Sequence, residues 1–167
     1  MSLTITQNHV TFGHSNKPLH PAGVLIHGIY NKLDDAKRFD AKSIIDILQQ
    51  YNVAAHYLVT RSGAIFELVP PTIQCWHAGK SWFKGISGLN SSFIGIEFVG
   101  DETTPYEEVQ YTIGGELLAY LVNQYNISTD MITTHQIVSG PKVRPDYKWD
   151  PGPMFDMIKL GQKMLEA

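Results

Sequence analysis

Ala22-Gly23-Val24-Leu25-Ile26-His27 is a short apolar run, partly β-branched and bounded by Pro21 and Gly28. Such a run reads as a buried strand, and this one closes on a histidine. Phe93 to Val99 reads as a second buried strand, with Gly95 marking a place of close backbone approach. Met131 to Thr134 reads as a third, short strand that ends at His135. His56–Thr60 and Ala64–Val69 flank Arg61-Ser62-Gly63, the pattern of a β-hairpin, and Pro70 and Pro71 stop its second arm. Alternation in Leu3-Thr4-Ile5-Thr6 and Val10-Thr11-Phe12 points to an extended N-terminal segment.

Helical patterns lie between these runs. Ile44, Ile45, Ile47 and Leu48 have the spacing of an amphipathic helix over Ser43–Tyr51 that starts near Asp40. Thr104 is placed to cap a second helix, with Pro105 at its first position, Glu107 completing a capping box, and an end near Gln124. Gly114 and Gly115 sit inside that helix, where glycine is a poor helix former. Pro153 to Leu165 reads as a C-terminal helix, and Thr72 to Ser92, which holds Trp76, His77 and Trp82, as an ordered surface loop. The expected fold is α/β, a single domain over residues 1–167 with a central mixed β-sheet flanked by helices.

Bulk composition excludes several function classes. The 167 residues are 43% hydrophobic and 17% charged, enough to bury a substantial core. The net charge of −3 comes with no basic stripe, so no nucleic-acid partner is expected. No apolar run approaches membrane-spanning length, so no membrane partner is expected either. Met1 to His9 lacks the pattern of a secretory signal, so a cytoplasmic location is expected, with phage-lytic release as the alternative. Cys75 is the one cysteine, so there is no internal disulfide, and it reads as a small packing residue.

The candidate chemistry sits where strands end. His27 closes one strand, Glu97 lies late in another, and His135 ends a third. Asp150 precedes Pro151-Gly152-Pro153, a rigid turn into a helix. Two imidazoles and a carboxylate make a three-ligand zinc set with the fourth position left to water. No two of these residues are close in sequence, so spacing alone does not assemble them.

Five blocks in order carry a resemblance. Val24-Leu25-Ile26-His27, His56 to Ile65, Trp76-His77-Ala78-Gly79, Ser92 to Gly100 and Lys148 to Asp156 resemble the type 2 N-acetylmuramoyl-L-alanine amidase family. That family includes the bacterial amidase of cell-wall recycling, phage endolysins and the peptidoglycan recognition proteins. The resemblance implies that His27, His135 and Asp150 bind Zn2+. It implies that Glu97 is the general base, that Lys148 stabilises the oxyanion, and that His77 and Trp76 meet the substrate, peptidoglycan or a muropeptide.

The reaction implied is hydrolysis of the amide between N-acetylmuramic acid and L-alanine. Asp150 as third ligand, with Ala55 before His56, resembles the cytoplasmic recycling branch and some phage relatives. His56 reads as a group hydrogen-bonded beneath the metal, and His9, His14 and His20 as solvent-exposed. The segment from Gln136 to Tyr147, with Lys142 and Arg144, is longer than the compact recycling enzyme leads one to expect, which leaves preference for the anhydro sugar open. The alternative is a non-catalytic peptidoglycan-binding module, which in this family commonly lacks the third ligand. The sequence does not choose between recycling and lytic roles, and it names no oligomeric state.

Overall fold

A computed structural model describes residues 3–140 and 142–167. Met1 and Ser2, at the head of the N-terminal stretch read above, lie outside the described residues, as does Pro141 in the long segment after His135.

The chain opens with strands β1 (Ile5–Gln7), β2 (His14–Pro18) and β3 (Gly23–Ile29), followed by helix α1 (Ala41–Gln50). Strands β4 (Tyr57–Val59), β5 (Ile65–Glu67), β6 (Ile73–Cys75), β7 (Trp82–Phe83), β8 (Ile86–Ser87) and β9 (Phe93–Val99) come next. Helix α2 (Glu108–Tyr125), strand β10 (Ile132–Thr134), the single-turn α3 (His135–Val138) and α4 (Met157–Glu166) complete it.

The main sheet has the order β1-β5-β4-β9-β3-β10. β4, β9, β3 and β10 run parallel, β5 is antiparallel to β4, and β1 is parallel to β5, so the sheet is mixed as expected. β3 and β9 form its centre and are buried over their whole length except at Ile29. Parallel neighbours require crossovers, and helices lie in several of them, whereas the connection from β4 to β9 runs through β5–β8. α1 lies between β3 and β4 in the chain, and α2 between β9 and β10.

Alternation along the central strands separates two faces. Val24, Ile26, Ile94, Ile96 and Phe98 pack with Leu117, Leu118 and Leu121 of α2 and Leu160 of α4. Each fully buried leucine there contributes about 1.5–3 kcal/mol relative to exposure. On the opposite face Leu58 and Val99 pack with Ile44 and Leu48 of α1, while Leu25 and Phe93 form a separate cluster with Ala78, Leu89 and Val138. The polar site occupies the gap between those two apolar clusters.

Four expectations change in detail. Helix α2 starts at Glu108, not at Pro105, because the Asp101 carboxylate takes the amides of Thr103 and Thr104 at 2.9 and 2.7 Å and folds 101–104 into a turn. Glu107 becomes the cap, with its amide donating to Gln110 Oε1. Helix α4 starts at Met157, not at Pro153. Phe155 is drawn into the core among Phe98, Tyr106 and Tyr111, and the Asp156 carboxylate caps the Lys159 amide.

Finally, the stretch Thr72–Ser92 is not all loop. β6 pairs with β2, and β7 with β8. His14 is half-buried within β2, with its Nε2 against the Val10 carbonyl, contrary to the exposed reading, whereas His9 and His20 are exposed. No helix of the described residues is long and apolar enough to cross a membrane.

Candidate active site

Register builds the site. In the parallel pair β3–β9, His27 stands beside Glu97, and Glu97 in turn stands beside Leu58 of β4. On the other side of β3, Thr134 pairs with Ile26, so His135 follows one step on, level with His27. These positions lie toward the carboxyl ends of parallel strands, where open α/β sheets bind ligands. Asp150 arrives from the segment before α4, and its carbonyl accepts the Gln136 amide at 2.8 Å, which ties it to the first turn of α3.

His27, His135 and Asp150 are all buried, at 1%, 5% and 5% exposure. His27 Nδ1 lies 3.0 Å from His135 Nδ1 and 3.2 Å from Asp150 Oδ2, and His135 Nδ1 lies 3.1 Å from the same oxygen. The remaining ring nitrogens decide what these contacts are. His135 Nε2 faces the Ala78 carbonyl at 3.1 Å and must donate to it. His77 Nε2 likewise donates to the Phe93 carbonyl at 3.0 Å, so its Nδ1 accepts from His27 Nε2 at 3.0 Å. In neutral rings this leaves Nδ1 of both His27 and His135 as lone pairs. Burial, with His135 nearby, lowers the His27 pKa to about 4, so that ring is neutral. Two lone pairs and a carboxylate oxygen therefore point at one another, an arrangement that a shared cation relieves. The group could hold a metal ion.

Glu97 stands next to this triangle. Its Oε2 is buried with no hydrogen-bond partner among the described residues. Burial and the Asp150 charge hold its pKa well above the usual carboxylate range, while Lys148 pulls the other way. Burial also acts to raise the Asp150 pKa, but the His135 and His27 contacts outweigh it and hold that carboxyl below its ordinary range. Lys148 is exposed, and its amide donates to Ser139 Oγ at 2.9 Å.

Of the residues expected to meet substrate, Trp76 is 38% exposed. His77 is half-buried, and both of its ring nitrogens are engaged within the protein. His56 donates from Nε2 to the Ile73 carbonyl and accepts the Gly95 amide at Nδ1, so it is a structural histidine whose ring lies beside His77 and makes no hydrogen bond to the triangle.

Two supporting residues were not found from sequence. Asn90 Oδ1 accepts the amides of His77 and Ala78 at 2.9 and 2.7 Å and so shapes the Trp76–Gly79 turn. Ser139 Oγ donates to the His135 carbonyl at 2.8 Å while accepting from Lys148, joining the two ends of the long segment. Neither carries a local signal, because a lone Asn or Ser in a loop looks like ordinary turn chemistry.

A family model described as N-acetylmuramoyl-L-alanine amidase matches residues 16–153. The chain belongs to that amidase family. It is similar to the 1,6-anhydro-N-acetylmuramyl-L-alanine amidase AmpD of Enterobacter cloacae, at 34% identity over 121 residues, 72% of this chain and 62% of that protein. The match thus spans less than two thirds of that curated relative. In fold it resembles a crystal structure of AmpD, with a TM-score of 0.73 at 24% identity over 94% of this chain and 93% of the other. It also resembles the Escherichia coli amidase AmiD, at TM-score 0.68 and 28% identity, covering 86% of this chain and 57% of AmiD. That AmiD structure is a complex with the substrate anhydro-N-acetylmuramic acid-L-Ala-D-gamma-Glu-L-Lys.

Proposed function

We propose that this chain, as one amidase domain, is a zinc-dependent hydrolase of the amide between N-acetylmuramic acid and L-alanine, acting on peptidoglycan or its muropeptide fragments. The observation that carries the reading is the convergence of the His27 and His135 lone pairs on Asp150 beside Glu97, whose Oε2 has no hydrogen-bond partner among the described residues. Two imidazole nitrogens and a carboxylate oxygen suit zinc, which takes such ligands at about 2.0–2.2 Å. Donors spaced 3.0–3.2 Å apart can share one ion at that reach. Zinc held there supplies a Lewis acid for the amide carbonyl and lowers the pKa of water toward about 7.

The rest is done by side chains of this chain. Glu97 Oε2 takes the proton that the attacking water loses and returns it to the departing L-alanine nitrogen. The positive charge of a bound cation acts on Glu97 in the same direction as Lys148 and favours the ionised base. The Lys148 ammonium offers its charge to the oxyanion of the tetrahedral intermediate. Trp76 presents a half-exposed aromatic surface to the substrate.

The names of the AmpD relatives and the ligand of AmiD favour 1,6-anhydro muropeptides as substrate, and with them a recycling role over lysis of intact wall. Comparing turnover on anhydro-muropeptide with release from sacculi separates these two. Zinc-loaded protein is expected to release free stem peptide from a muropeptide. Muropeptide binding with no peptide released identifies a non-catalytic binding module and overturns the hydrolase.

A further inference from the structure

We propose that His77 is a positioning residue for the metal site, its Nδ1 accepting the Nε2–H of His27 and thereby holding His27 in the tautomer that turns the Nδ1 lone pair toward Asp150 and His135. The inference rests on the metal site proposed above and adds a residue beyond its three ligands.

The chain of donors has one direction. It begins at the Phe93 carbonyl, which can only accept, 3.0 Å from His77 Nε2. His77 Nε2 therefore carries a proton, and its Nδ1 is the acceptor for His27 at 3.0 Å. Reversing the tautomer of His27 would set two acceptors against each other at His77 and put a proton where the ligand lone pair is needed. A ligating imidazole is commonly oriented through its other nitrogen, and here a second imidazole takes that part, referenced to the main chain of β9.

The fold is shaped around this ring. A Cβ at Gly95 would lie 2.6 Å from the His77 ring, so β9 must carry glycine at that point. The His77 and Ala78 amides are both held by Asn90 Oδ1, and the His77 ring meets that of His27 edge-on with centroids 5.1 Å apart. Ala78 also supplies the carbonyl that orients His135. One short turn, residues 77–78, thus sets the tautomers of both histidine ligands.

Asn and Leu have nearly the same shape, but only Asn offers an acceptor, so His77→Asn and His77→Leu separate hydrogen bonding from packing. Zinc affinity, read by chelator competition on variants shown folded by circular dichroism, is expected to fall about 10–100-fold in His77→Leu. It should stay much nearer to wild type in His77→Asn. Equal zinc affinity in the two variants overturns the proposal. In the wild-type zinc-loaded protein, 15N NMR should show His27 protonated at Nε2 and a coupling across the hydrogen bond to His77 Nδ1. A His27 protonated elsewhere, or one whose Nε2–H exchanges freely with water, overturns it without any variant. A wild-type protein that binds no zinc defeats both this inference and the function above, whereas zinc binding with no effect at position 77 defeats this inference alone.

Discussion

Glu97 and Asp150 are both buried carboxyls, yet their surroundings drive them apart. Asp150 meets two imidazoles and stays ionised, while Glu97 has an oxygen with no partner among the described residues and holds its proton more tightly. That division fits a ligand and a proton carrier. Glu97→Gln keeps the shape of the side chain and removes the basic oxygen. It is expected to leave zinc binding as in the wild type and to cut muropeptide turnover by about 10²–10⁴. Full activity in Glu97→Gln assigns the base elsewhere, and loss of zinc makes Glu97 part of the metal site. At this scale most of the site was legible, because His27, Glu97 and His135 sit at strand ends and Asp150 precedes a rigid turn. The sequence placed His77 among the residues expected to meet substrate, but not its hydrogen bond to His27. Which way a ring nitrogen points depends on the Phe93 carbonyl sixteen residues away, and no local pattern encodes that.

Among the elements, the link from β9 to α2 shows where local signals mislead. Thr104-Pro105-Tyr106-Glu107 has the pattern of a helix start, and Asp101 overrides it by capturing the Thr103 and Thr104 amides. Asp101 is fully buried and receives Arg38 Nε at 2.6 Å from the region between β3 and α1. Burial alone would raise the Asp101 pKa, but the two amides and the guanidinium more than offset it and hold the carboxyl below its ordinary range. A carboxyl whose pKa is lower folded than unfolded adds stability above its unfolded value of about 3.9, and that stability is lost as the pH falls through the folded value. Asp101→Asn is therefore expected to cost about 1–3 kcal/mol at neutral pH, by removing the buried carboxylate that Arg38 Nε meets and leaving the guanidinium only its contact with exposed Asp35. The gap from wild type should narrow on acidification below about pH 4. Urea unfolding across that range measures it, and a gap that does not change with pH removes the charge from the account. The glycines inside α2 were read as weak points of the helix. They are packing sites, since a Cβ at Gly114 would lie 2.6 Å from the Phe98 ring, and one at Gly115 equally close to the Lys163 backbone in α4.

Across the whole molecule, the three proposed ligands come from β3, from the first residue of α3 just after β10 and from the segment before α4, positions 27, 135 and 150. The parallel strands were readable because β3 and β9 are continuous apolar runs and helical patterns separate them. The small sheet β2–β6 was not, because His14-Ser15-Asn16-Lys17-Pro18 has no apolar alternation and is held by its partner strand. A cation shared by the three ligands joins segments more than a hundred residues apart in the chain, and it relieves the repulsion of lone pairs 3.0–3.2 Å apart. Its effect should then be global in stability and local in dynamics. Zinc at a hundred times its dissociation constant is expected to add about 2.7 kcal/mol to unfolding, and chelation to remove it. Hydrogen exchange should slow on zinc binding chiefly in the first turn of α3, where Gln136 donates to the Asp150 carbonyl, and around Ser139 and Lys148. The α2–α4 face packs through leucines on the other side of the sheet, so it should gain protection only through global stability. Exchange that slows equally on both faces, or a melting temperature indifferent to chelation, places the metal somewhere other than between β3, α3 and Asp150.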